Sequence, residues 1–140
     1  MAVEWNDEHR DALVELLKRD SLRLDQFTLA SGRSSHYYID GRKVTLSAEG
    51  ARLIGRGMLS VLWGRPGIAA VGGLTMGADP IVGASLALAT GFGMGALKGF
   101  LVRKQAKGHG TGNLVEGPLE PGSTVAIVDD VATTGGSSLQ

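Results

Sequence analysis

The spacing of apolar positions changes along the chain, and each change predicts an element. From Asp7 to Arg19, Leu13, Leu16 and Leu17 fall on one helical face. Asn6 or Asp7 can cap that helix, and Lys18 and Arg19 suit its negative end. After a polar break come Phe27-Thr28-Leu29 and the turn-rich stretch from Ala30 to Ser35. The aromatic and β-branched run His36-Tyr37-Tyr38-Ile39-Asp40 then predicts a short strand. Ser47 can cap a second helix to about Trp63, with Leu53, Ile54, Met58, Leu59 and Leu62 as its apolar face. Gly64 to Gly67 stops it. Ile68 to Val71 reads as a buried strand and Gly72 to Gly77 as a loop. A third helix is expected over Asp79 to Thr90, with Pro80 in its first turn. Lys98 to Val102 predicts a strand, Gln105 to Leu114 a polar loop, and Thr124 to Val128 the most clearly buried strand of the sequence. Strands alternating with helices imply an α/β fold with a mainly parallel sheet.

Composition narrows the function classes. The 140 residues fit one domain, with no internal repeat or linker, and the apolar content is that of a globular protein. Zero formal net charge argues against nucleic-acid and membrane-surface binding. Without cysteine there is no disulfide framework and no thiolate metal site. The polar start carries no leader-like apolar run, and the longest apolar stretch, Ile81 to Ala89, is too short to span a bilayer. A cytoplasmic protein is expected. The 22 glycines fall mainly between apolar segments, which points to tight turns and close backbone approach to a ligand.

Chemistry concentrates near Asp129. The strand Val125 to Val128 runs into Asp129-Asp130, then into Val131-Ala132-Thr133-Thr134-Gly135-Gly136-Ser137-Ser138. In an open α/β sheet, ligands bind beyond the carboxyl ends of the strands. A loop of small hydroxyl residues and glycine can wrap a phosphate with N–H and O–H groups. Two carboxylates beside that loop would repel an anion unless sugar hydroxyls or a cation meet them. Acids on one side and a phosphate cradle on the other describe a site for ribose 5-phosphate. An isolated Asp-Asp pair reads more simply as a solvated strand end; the full run is far more specific.

This run resembles the phosphoribosyl-pyrophosphate (PRPP) motif of type I phosphoribosyltransferases. Two further segments are similar to the orotate-using branch of that family. Val102 to Gly112, with Arg103, Lys104, Lys107 and His109 among glycines, resembles its mobile catalytic loop. Phe27 to Asp40 resembles its N-terminal base-covering element. The resemblance spans about Trp5 to Ser138 and implies a type I phosphoribosyltransferase fold. It implies one domain, with residues 1–45 covering the base and residues 46–140 forming the core. The catalytic loop would be 103–114 and the PRPP loop 129–138.

By the same resemblance, the activity is Mg²⁺-dependent transfer of ribose 5-phosphate from PRPP to orotate, giving orotidine 5′-monophosphate and pyrophosphate. Asp129 and Asp130 would hold the ribose hydroxyls, and Val131, Ala132, Thr133, Thr134, Gly135, Gly136 and Ser137 the 5-phosphate. Arg103, Lys104, Lys107 and His109 would hold pyrophosphate, with Lys107, Asp129 and Asp130 as the catalytic set. Orotate would lie near Thr133, Ser31, Gly32, Tyr37 and Tyr38. Mg²⁺ would be carried mainly by PRPP, and the enzyme would be a homodimer in which Lys104 acts in trans.

The pattern also departs from the family. Ala30 and Met76 stand where many members carry lysine, leaving Arg33 and Lys43 as the nearby candidates to replace them. The sequence ends just after the PRPP loop, so a chain incomplete at its C-terminus is expected. Two other functions fit the PRPP motif: a purine-type phosphoribosyltransferase and a PRPP-binding regulator without catalysis. An inactive fragment is a further alternative. The run Gly91 to Ala96 has dinucleotide-fingerprint spacing but follows a helix, so it reads as a helix stop.

Overall fold

A reciprocal cap starts the first helix. Asn6 Oδ1 accepts the His9 backbone N–H at 3.1 Å, and the Asn6 N–H donates to His9 Nδ1 at 3.3 Å. In this computed structural model, which describes residues 2–105, 108 and 112–139, helix α1 (Asp7–Leu16) runs into one π-helical turn, Leu17–Ser21. Ser21 Oγ donates to the Leu17 carbonyl at 2.7 Å there, and the chain turns into a hairpin. Strands β1 (Leu22–Thr28) and β2 (Ser34–Ile39) pair antiparallel, Leu22 opposite Ile39 and Thr28 opposite Ser34. The register shifts between Leu24 and Phe27, which breaks the alternation that would have marked β1 in the sequence. A one-turn helix, α2 (Arg42–Thr45), leads to Ser47, whose Oγ accepts the Gly50 N–H at 3.1 Å and caps α3 (Ala48–Trp63).

The core sheet follows. Strand β3 (Ile68–Leu74) pairs in parallel with β4 (Lys98–Val102) on one side and β6 (Thr124–Ile127) on the other. The two-residue strand β5 (Val115–Glu116) closes the β4 edge antiparallel, giving the order β5-β4-β3-β6. Helix α4 (Asp79–Ala89) carries Pro80 in its first turn and ends through a short 3₁₀ turn at Gly93. Helices α3 and α4 meet where Gly55 lies against the Ala84 carbonyl, a gap that no larger residue could enter. Leu62, Val71, Ala78 and Val82 form the sheet-side core, joined by Ala126 and Val128. Leu59 and Leu53 are buried at the α3 faces toward α4 and α1, and burial of such a side chain contributes about 1.5–3 kcal/mol. Among the described residues, no helix is long and apolar enough to cross a membrane.

Two expectations need correction. Gly72 and Gly73 belong to β3 and not to a loop: a Cβ at Gly72 would overlap Phe100, and one at Gly73 the Val128 carbonyl. Those glycines answer close strand packing rather than a turn. Strand β6 is not the most buried strand. It pairs only with β3, and Ile127 is 48% exposed because its outer face carries no covering element among the described residues.

Candidate active site

Three parallel strands deliver the chemistry to one edge. Beyond β6, the Val128 N–H donates to the Gly72 carbonyl at 2.8 Å, so pairing continues until Asp129 and Asp130 leave the sheet. Beyond β4 come Arg103 and Lys104, and beyond β3 the turn Thr75–Gly77, in which the Thr75 N–H donates to the Val102 carbonyl at 3.0 Å. The end of β2 and the start of α2 bring Asp40, Gly41 and Arg42 over the same edge.

A cavity of about 340 Å³ lies between these segments. One wall holds Asp129, Asp130, Val131 and Ser137, a second Leu74 to Gly77, a third Tyr38 to Arg42, and Lys104 completes it. A smaller hollow of about 60 Å³ adjoins it, lined by Asp129 and by Val131 to Ser138. Asp129, Val131 and Ser137 line both. Gly135 takes a left-handed φ of 75° and lets the loop close on a three-residue 3₁₀ turn, Gly136–Ser138. The Gly136 N–H donates to Thr134 Oγ1 at 3.3 Å. Val131 to Thr134 are exposed, so the hollow is open to an entering anion.

The acid pair is held by its own backbone. The Asp130 N–H donates to Asp129 Oδ1 at 2.9 Å, and the Val131 N–H to Asp130 Oδ1 at 3.0 Å. Gly77 faces both carboxylates, and a Cβ there would overlap their Oδ1 atoms. Gly41 faces Asp130 from the other side, with only 3.2 Å between the place of its missing Cβ and Asp130 Cβ. Burial, and then the hydrogen-bonded Asp130 beside it, push the Asp129 carboxyl above its ordinary range, partly opposed by the Asp130 backbone N–H and by Lys104. An acid pair half-withdrawn from water beside an open small-residue hollow can accept hydrogen bonds from vicinal hydroxyls and leave room for an anion.

Known proteins resemble the chain in sequence and in fold. The chain is 50% identical over 133 residues to orotate phosphoribosyltransferase of Rhodopirellula baltica, covering 91% of this chain and 68% of that protein. The chain belongs to the orotate phosphoribosyltransferase family. Among solved structures, that of Mycobacterium tuberculosis orotate phosphoribosyltransferase with Fe(III) dicitrate superposes with a TM-score of 0.73 at 40% identity, covering 94% of this chain and 72% of that one. The same enzyme in complex with PRPP gives 0.68 at 38% identity, covering 94% and 70%. No protein-family model matches the chain.

Within this orotate phosphoribosyltransferase framework, the expected site residues separate into groups. Asp129, Asp130, Val131, Ser137, Lys104 and Tyr38 line the large cavity. Ala132, Thr133, Thr134, Gly135 and Gly136 line the small one. Arg103 lies beside the site with its Nε donating to Glu116 Oε1 at 2.9 Å, across from β4 to β5. Ser31 and Gly32 sit at the hairpin tip, and Tyr37 on the hairpin is 56% exposed; none of the three lines either cavity. Tyr38 packs against Phe27 with ring centroids 5.6 Å apart. Lys107 and His109 lie outside the described residues. Arg33 is on the hairpin turn, and Lys43 lines a neighbouring groove with Met76, Asp79 and Pro80. The sequence reading missed Asp40, Gly41, Arg42, Thr75 and Gly77, all on the cavity wall. An acid, a glycine and an arginine directly after an aromatic strand were the available signal for the first three.

Proposed function

We propose that the chain transfers the 5-phosphoribosyl group of PRPP to orotate, giving orotidine 5′-monophosphate and pyrophosphate. The observation that carries this reading is the sharing of Asp129, Val131 and Ser137 between an open phosphate-sized hollow and a larger cavity floored by acids. A ribose 5-phosphate bridges two such spaces, with its phosphate among Thr133 to Ser137 and its hydroxyls at Asp129 and Asp130. In the reaction the C1–O bond to pyrophosphate breaks and a C1–N bond to orotate forms. Positive charge growing on the sugar favours the ionised form of Asp129, whose carboxyl is otherwise held above its ordinary range. Lys104, with Arg103, Lys107 and His109 from the same loop, meets the charge accumulating on pyrophosphate. Thr133 and Tyr38 border the base, with residues 1–45 as the covering element and residues 46–140 as the core.

A magnesium ion fits the donor set as a passenger of the substrate. Three carboxylates, Asp40, Asp129 and Asp130, line the cavity, but among the described residues no group of three or more ligating side chains is gathered closely enough to hold a metal ion by itself. Mg²⁺ commonly binds through one or two carboxylates plus substrate phosphates. Asp129 and Asp130 are the residues that would help hold it, and its charge would offset that of the diphosphate. A cytoplasmic homodimer in which Lys104 serves the neighbouring copy belongs to the same proposal; in one chain Lys104 borders its own cavity.

The test is pyrophosphate release from PRPP and Mg²⁺ with orotate, hypoxanthine or uracil as acceptor. Release with orotate alone is expected. Release with hypoxanthine would make the chain a purine-type enzyme, and PRPP binding without release would make it a regulator. Lys107→Ala should lower kcat with orotate by about 10²–10³, as for loss of one charge-stabilising donor; full activity would remove Lys107 from the reaction.

A further inference from the structure

The large cavity must do two electrostatically opposed things. Asp129, Asp130 and Asp40 give it three carboxylates, yet a diphosphate has to lie in it before pyrophosphate can leave. A magnesium ion brought by the substrate offsets part of that charge; the rest falls to cations on the lining, of which the described residues contain two, Lys104 and Arg42. Lys104 stands at the root of the 103–114 loop. Arg42 stands on a fixed element. Its carbonyl accepts the Leu46 N–H at 3.0 Å, and Val44 and Thr45, next in α2, are 0% and 5% exposed. Gly41, the residue before it, abuts Asp130. The root of Arg42 is thus registered against the acid pair itself.

Its guanidinium is also free to act. Among the described residues it makes no hydrogen bond, and its one ion pair is loose, with Nε 3.8 Å from Asp40 Oδ1. Roughly half of the side chain is exposed, at 47%. We propose that Arg42 holds the diphosphate of PRPP, using its planar fork of donors on phosphate oxygens. This rests on the PRPP-binding reading above. It also assigns the cationic role that Arg33 and Lys43 do not fill, since one lies on the hairpin turn and the other on the neighbouring groove. Met76 lines both the cavity and that groove, as Arg42 does, so it offers a second place from which a cation could reach the same space.

The experiment is titration calorimetry of the full chain with Mg²⁺ and three ligands: PRPP, inorganic pyrophosphate and ribose 5-phosphate. Arg42→Ala should weaken PRPP and pyrophosphate by about 10–100-fold, the effect of losing charge-assisted hydrogen bonds, and leave ribose 5-phosphate within about 2-fold. Arg42→Lys should restore part of the loss, and Met76→Lys placed in Arg42→Ala should restore part of it from the adjacent position. Unchanged PRPP affinity in Arg42→Ala would overturn the proposal. So would an equal loss for all three ligands, which would make Arg42 a shaper of the cavity. Failure of the unaltered chain to bind PRPP would sink the underlying reading and this one with it.

Discussion

Gly77→Ala separates the site from the fold. Gly77 is not in the left-handed region, so alanine is compatible with its backbone. Lower unfolded-chain entropy by itself favours the variant by about 0.4–1 kcal/mol. The new methyl, however, would come within 2.6 Å of Asp130 Oδ1 and closer still to Asp129 Oδ1. To regain ordinary contact at 3.4 Å, the Asp130 oxygen must retreat by roughly 0.8 Å, and Asp129 by more. Both carboxylates are exposed enough to move, so the fold accommodates the change at the cost of the site geometry. Displacement of about 1 Å in a reacting constellation costs on the order of 10²-fold. We expect kcat/KM for PRPP to fall about 100-fold while the thermal midpoint stays within about 4 °C. Scanning calorimetry and steady-state pyrophosphate release on the same preparation check both halves. Wild-type kcat/KM in Gly77→Ala would refute the reasoning, because it would mean that the acids need not be where the structure holds them.

Two other predictions follow from the same acids and from the loop. The raised pKa of Asp129 means that its ionisation opposes folding: its contribution is fully favourable below the ordinary value of 3.8 and is lost as pH rises through the raised value. Asp129→Asn should therefore be more stable than the parent at neutral pH and show a flatter stability–pH curve just above pH 3.8 in chemical denaturation; an unchanged curve would exclude this. For the dimer, mixing inactive Lys104→Ala with inactive Asp130→Asn chains should recover roughly one quarter of wild-type activity if Lys104 serves the neighbouring copy, since half the dimers are mixed and each holds one intact site. No recovery, with exchange of subunits verified, would place Lys104 in its own chain's site.

The elements that the sequence reveals are those whose signal is local. Asn6 and Ser47 cap helices where a capping side chain is expected, and Pro80 sits in the first turn of α4. Strand β4 has the predicted limits, Lys98 to Val102. What stays hidden depends on partners distant in the chain. Strand β1 is legible only with β2, because its register shift erases the period of two. The two-residue β5 exists only as an edge for β4. Burial of β6 is misjudged because composition describes a strand's preference and not how many neighbours it has. The same limit governs the site. Asp129 to Ser137 form a contiguous run with its own meaning, whereas Asp40 and Arg42, and separately Gly77, reach the cavity from two other places in the chain.

Glycine connects the two halves of that lesson. Its abundance suggests turns and ligand approach, yet several glycines, two of them on the cavity wall, serve the acid pair by leaving room for it. Gly72 and Gly73 draw β4 and β6 tight against β3, and this sets where β6 ends and hence where Asp129 begins. Gly77 and Gly41 then leave the volume into which the two carboxylates fit. A side chain at any of these positions would move the acids before it disturbed the phosphate hollow. The position of the acid pair is therefore fixed by residues that carry no chemistry, and substitutions at Gly77 and Gly41 should weaken ribose binding more than 5-phosphate binding. Equal weakening of PRPP and inorganic phosphate in Gly41→Ala, measured by calorimetry, would show instead that the loop and the acids move as one unit.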